Sequence, residues 1–159
     1  MLELKNLHNN IFNFAEIKQL FGCTDGSNPC LVGLLSYHNK YVVAENTGEA
    51  NADRDRLGPY EKFSVTFIDE NKVQFKGYHG KYLAAEIDGT VNANQDQAVS
   101  AATWTVESNV ALVVSGEWIG LTFKSTYGKY LVAEKTGKLN ANRDGAGPYE
   151  TFKVVDGNI

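Results

Sequence analysis

No stretch of this 159-residue chain approaches the ~20 consecutive apolar residues of a membrane-spanning helix, so no membrane span is expected. There is no run of lysine or arginine, and the formal charge at pH 7 is −4. Nucleic acid and anionic lipid both reward a basic surface, so neither is an expected partner. The opening residues, MLELKNLHNN, lack the basic and apolar regions of a secretory leader, which makes the cytoplasm the expected location. Cysteine is scarce too: Cys23 and Cys30 bound the segment CTDGSNPC. The pair suits a small disulfide loop, half a metal site or two independent thiols. Independent thiols are the preferred reading, because intracellular cysteines usually stay reduced. Structural zinc takes four ligands, and His8, His38 and His79 form no ligand spacing with the cysteines. No metal and no cofactor are expected. A phosphate-cradling glycine loop, a nucleophile elbow, an HExxH helix and an EF-hand loop are all missing, so an enzyme is not expected.

What the chain does have is repetition. Residues 129–152 read KYLVAEKTGKLNANRDGAGPYETF, and residues 40–63 read KYVVAENTGEANADRDRLGPYEKF. A looser copy at 81–104 reads KYLAAEIDGTVNANQDQAVSAATW. The first and last copies match without a gap at about two-thirds of their positions. The offsets, about 41 residues from Tyr41 to Tyr82 and about 48 from Tyr82 to Tyr130, fall within the roughly 20–50 of repeat architectures.

Within each copy, short apolar runs alternate with turn residues, the pattern of brief strands. The first copy predicts strands over 31–36, 41–45, 49–53 and 62–67; the second, over 73–76, 82–86, 91–94 and 103–106. The extra residues 107–120 predict a longer hairpin, 110–114 with 118–123, before a third copy that runs from about 121 to 155. One such unit cannot bury its apolar side alone, so the copies must pack on one another. Three can close around a pseudo-threefold axis and leave no long free edge. The expected fold is therefore all-β: a β-trefoil of three four-stranded repeats over about 31–70, 73–117 and 119–155. A propeller usually takes about four or more blades. Residues 31–159 then form one domain, and residues 1–30 an N-terminal extension lying over its bottom. There Leu4, Leu7, Ile11, Phe14, Ile17 and Phe21 recur every three or four positions, which predicts an amphipathic helix ending near Gly22.

Matched apolar positions are the expected core: Leu34, Phe75 and Phe123; Tyr41, Tyr82 and Tyr130; Val43, Ala84 and Val132; Phe63, Trp104 and Phe152. Gly48, Gly89 and Gly137 mark the same hairpin turn in each copy. Glu45, Glu86 and Glu134 recur, as do Arg54 and Arg143 with Gln95 between them. Internal ion pairs or loop-fixing hydrogen bonds are preferred for them over a polar pocket. The second copy has Val99–Ser100 where the others have Gly-Pro, so its loop is expected to be built differently.

The motif GKYL-(V/A)-AE-x-x-G-x-(V/L)-x-A-N, followed by GPYE-x-F, resembles the fascin-like, actin-crosslinking β-trefoil family over about residues 31–155. The resemblance implies a binding module with actin filaments as partner. The candidate contacts are the solvent-facing turns of the three copies: His38 and Lys40, His79 and Lys81, Tyr127 and Lys129. Cross-linking by one such domain requires two actin sites or a homodimer. The alternative is a glycan-binding module. The Q-x-W signature of ricin-type lectins is absent, the segments reading KFSV, TWTV and TFKV. Two near-identical polar loops could still serve, through Asn51, Asp53, Arg54 and Tyr60 in one, and Asn140, Asn142, Arg143 and Tyr149 in the other. Asn, Asp and Arg hydrogen-bond sugar hydroxyls, a tyrosine face stacks on a sugar ring, and two loops confer bivalence.

Overall fold

The computed structural model describes residues 14–23, 29–108 and 120–158. Within them the apolar runs form twelve strands. The first copy supplies β1 (Cys30–Leu35), β2 (Tyr41–Ala44), β3 (Ala50–Arg54) and β4 (Phe63–Asp69). The second supplies β5 (Lys72–Lys76), β6 (Tyr82–Ala85), β7 (Val91–Gln95) and β8 (Trp104–Ser108). The third supplies β9 (Gly120–Lys124), β10 (Tyr130–Ala133), β11 (Leu139–Arg143) and β12 (Phe152–Asp156). Of the predicted longer hairpin, residues 110–114 and 118–119 lie outside the described residues, and 120–123 belong to β9.

The first and last strands of each copy pair antiparallel in a closed ring, β1–β4–β5–β8–β9–β12 and back to β1. Closure satisfies both edges of these six barrel strands. The two middle strands of each copy form a hairpin: β2–β3, β6–β7 and β10–β11. The hairpins then bond to one another in a cycle. The Ala93 amide donates to the Gly48 carbonyl at 2.8 Å, Ala141 to Gly89 at 2.8 Å, and Ala52 to Gly137 at 2.7 Å.

Leu34, Phe75 and Phe123, with Phe63, Trp104 and Phe152, are fully buried in one cluster. Phe75 and Phe123 meet edge to face at 5.4 Å, as ring quadrupoles prefer. Val43, Ala84 and Val132 are buried as expected, outside the central cluster to which Val42, Leu83 and Leu131 belong. Only the tyrosine set needs correction: Tyr41, Tyr82 and Tyr130 are half-buried. A register shift beside each tyrosine, such as that between Tyr41 and Val42, breaks the simple alternation. The tyrosine hydroxyl also wants a polar partner, and Tyr130 donates to Glu107 at 2.6 Å.

Burial and that carboxylate push the Tyr130 phenol up to about 12. The native state thus keeps a proton that the unfolded chain releases near pH ~10. The stability this group contributes is fully present below about pH 10 and is lost as pH rises toward 12. In urea unfolding, the advantage of the wild type over Tyr130→Phe should be level from about pH 7 to 9 and shrink between about pH 10 and 12. An advantage that stays level throughout would contradict this reading.

The described part of the N-terminal extension is a short helix, α1 (Phe14–Leu20). Its residue Ile17 and the following Phe21 are buried in the barrel cluster, with the Phe21 ring 5.7 Å from Phe67 and 6.2 Å from Phe75. Gly22, at φ +70°, ends the helix, and the amides of Gly22 and Cys23 donate to Gln19 and Lys18. Leu4, Leu7 and Ile11 lie outside the described residues.

The reading of Cys23 and Cys30 as independent thiols is overturned, because they form a disulfide. Seating Phe21 in the core and pairing Cys30 with Val65 bring the two Cα atoms to 5.8 Å, inside the roughly 4.4–6.8 Å that a disulfide spans.

Candidate functional site

In each copy a turn joins a barrel strand to its hairpin, over residues 36–40, 77–81 and 125–129. The first residue's amide donates to the last residue's carbonyl at 2.8, 2.8 and 2.7 Å respectively. The left-handed position is Asn39 at φ +66° in the first turn and glycine in the others. Asparagine visits that region readily, so the turn survives the departure from glycine.

These turns carry the candidate filament contacts. Lys40, Lys81 and Lys129 reach the surface, but each is ion-paired there, with Asp55, Asp96 and Asp144. Hydrogen bonds from Lys40 and Lys129 hold the carboxyls of Asp55 and Asp144 below their ordinary range. The turns therefore present neutral pairs rather than bare cations. They follow β1, β5 and β9, which alternate around the barrel ring and run in the same direction.

His38 and His79 are packed rather than displayed. Each Nε2 is buried without a hydrogen-bond partner in the protein. His38 lies against Tyr149, ring centroids 4.3 Å apart, and His79 against Tyr60 at 4.4 Å. Tyr127, in the third turn, is exposed. The loop position of Tyr60 and Tyr149 is Ala101 in the second copy.

That loop folds like the other two, contrary to expectation. A 3-10 turn forms at Pro59–Glu61, Ser100–Ala102 and Pro148–Glu150. The difference lies in the side chains. Nearly buried Glu61 and Glu150 accept the amides of Gly58 and Gly147 at 2.7 and 2.6 Å, whereas Ala102 has no carboxylate to offer.

The candidate sugar contacts divide among three places. Asn51 and Asp53, on β3, line a 510 Å³ depression between the hairpins, together with Asn92, Asn94 and Lys138. Arg54 and Arg143 are tied to Glu45 and Glu134, the latter pair at 2.7 Å. Burial works against the Arg54 charge, but Asp53 and Glu45 outweigh it and hold the guanidinium protonated more firmly than usual. Asn140 donates to Glu134 at 3.4 Å, and Asn142 accepts from Arg143 at 2.5 Å. In the second copy Asn92 donates to Glu86 at 3.0 Å. These groups brace each hairpin. Tyr60 and Tyr149 instead stand at the seams between copies, beside the histidines of the other candidate set.

Tyr37 and Tyr78, which head the first two candidate turns, complete the aromatic groups; sequence reasoning missed that pairing and the three aspartates that neutralise the lysines. Both had a signal. Tyr-His occurs at 37–38 and again at 78–79, and each lysine precedes its aspartate by 15 positions in all three copies.

Among the described residues no group of three or more His, Cys, Asp or Glu is placed to hold a metal ion. No helix among them is long and apolar enough to cross a membrane. No curated protein matches the chain. The model of the Fascin domain family matches residues 37–154, from the first turn into β12. The match spans well over half the chain and takes in all three hairpins, so the chain belongs to the fascin domain family.

Proposed function

We propose that the chain is a non-enzymatic β-trefoil module that binds actin filaments in the cytoplasm. The observation that carries this reading is the Fascin domain match over residues 37–154. The three turns are its contact points. An acidic filament surface competes with Asp55, Asp96 and Asp144 for the lysines. An exposed ion pair of this kind is weak and screened by salt, so releasing one costs little. Cross-linking requires either two actin sites on one chain or a homodimer.

Co-sedimentation with actin filaments at low and physiological salt tests the proposal. Saturable pelleting that survives physiological salt is expected. Lys40→Glu, Lys81→Glu and Lys129→Glu should weaken it, while Asp55→Asn, Asp96→Asn and Asp144→Asn should strengthen it by freeing the lysines. Absence of pelleting at both salts overturns the reading. Cytoplasm is reducing, so the assay is run with and without reductant to cover both states of Cys23 and Cys30.

A further inference from the structure

Two of the three seams between sequence copies carry the same aromatic cluster. At one, Tyr37 and His38 meet Tyr149; at the other, Tyr78 and His79 meet Tyr60. The tyrosine pairs have centroids 5.9 and 5.4 Å apart, and both are inclined at 36°. The histidine meets its loop tyrosine at 69° and 68°. All four tyrosines face solvent, Tyr37 with 57% and Tyr78 with 65% of its surface exposed.

The third seam shows that the fold does not need these clusters. It builds the same turn and the same 3-10 loop with Thr126, Tyr127 and Ala101 in the corresponding places. Paired aromatic rings left in water, and not demanded by folding, mark a surface kept for a ligand.

The geometry narrows the ligand. Centroids this close leave no room between the rings, so the clusters are not cages for a quaternary ammonium. They offer an outward face. The turns that bear them hold the neutral pairs Lys40–Asp55 and Lys81–Asp96, which favour neither a polyanion nor a polycation. Beside Tyr78 lies a mostly apolar 280 Å³ groove lined by Leu31, Pro59, Lys62, Ser64, Lys76 and Gly77. That is just under the roughly 300 Å³ at which drug-sized sites begin, a space for one sugar ring.

We infer that the two clusters are paired stacking platforms for a neutral glycan. A pyranose lays its C–H face on the tyrosines, because those hydrogens are slightly positive and the ring face is negative. Its hydroxyls turn to the tyrosine hydroxyls and, at the Tyr78 seam, to Ser64 in the groove. Two platforms on one chain suit a repeating polysaccharide. The site goes beyond the filament reading: it uses Tyr37, Tyr60, Tyr78 and Tyr149 rather than the lysines, with Tyr37 and Tyr78 in the same turns as Lys40 and Lys81.

The test is depletion of the full chain from solution by insoluble cellulose, β-1,3-glucan, mannan and agarose. Saturable retention on at least one polymer is expected. Tyr60→Ala with Tyr78→Ala, or Tyr37→Ala with Tyr149→Ala, should each weaken it about 100-fold, because each turns a bivalent contact into a single one. The fourfold variant should not be retained, and Tyr127→Ala should behave as wild type. Circular dichroism checks that the variants fold; if the fourfold variant does not, Tyr78→Ala alone, at a largely exposed position, supplies the comparison. No retention on any of the four polymers overturns the proposal, as does undiminished retention of the folded variants. Actin pelleting run in parallel separates the two ideas. Retention without pelleting sinks the filament reading alone. Pelleting without retention sinks the glycan proposal alone, and if the fourfold variant then fails to pellet, the platforms belong to the filament contact.

Discussion

Trp104→Ala should destabilise the protein by about 3–5 kcal/mol, the cost of truncating a buried aromatic side chain. The indole is fully buried at the start of β8, opposite Val73 of β5. Its Nε1 donates to the Leu83 carbonyl at 3.1 Å, which ties the barrel to the second hairpin. Truncation therefore opens a cavity in the barrel cluster and leaves a buried carbonyl without its partner. Domains hold only about 5–15 kcal/mol in total, so the loss is a large share of the whole. Trp104→Phe separates the two effects. It keeps most of the ring volume, as Phe63 and Phe152 do in the other copies, and gives up the hydrogen bond at about 1–3 kcal/mol. Urea unfolding of the three proteins by circular dichroism measures both differences. A loss below about 1 kcal/mol for Trp104→Ala would mean that the site collapses around the gap and that the indole is not the barrel's anchor.

The second large effect is expected at Gly137, the tip of the third hairpin. Its φ is +95°, and an added Cβ would stand 2.8 Å from the Cβ of Asp53 and 3.6 Å from the Ala52 carbonyl. The same residue's carbonyl accepts from Ala52, one link of the cycle joining the hairpins. Gly137→Ala thus meets backbone strain of about 1–3 kcal/mol, plus a collision with backbone-anchored atoms that pushes the first and third hairpins apart. Gly128 supplies the control. It too has positive φ, at +79°, but nothing stands within 4 Å of its added Cβ. Gly128→Ala should show the strain alone, and Gly137→Ala should lose clearly more. Thermal unfolding of both variants decides: equal losses would mean that close approach between the hairpins contributes nothing.

Much of the fold was legible because three copies of one pattern constrain one another. Phe63, Trp104 and Phe152 align in sequence and share the core, since each begins the last strand of its copy. The set headed by Tyr41 misled for a local reason: the register shift beside each tyrosine is a backbone event that leaves no mark on residue type. The loop at Val99 misled in the opposite way. A 3-10 turn needs no particular side chain, so losing Gly-Pro and the glutamate changed the bracing but not the path of the chain.

The candidate site was less legible, because its groups come from different copies. Tyr60 lies in the first copy and His79 in the second; Tyr149 lies in the third and His38 in the first. Linear reading assigned the tyrosines to one set of contacts and the histidines to another. By itself the sequence determined the strand count of each copy, the glycine-marked turns and the aromatic core, all of which depend on short-range periodicity and on matched positions. Tertiary structure alone decided that the lysines are neutralised, that Cys23 and Cys30 join, and that two seams assemble aromatic platforms while the third does not. Those outcomes rest on distances between side chains, which exist only once the chain has folded.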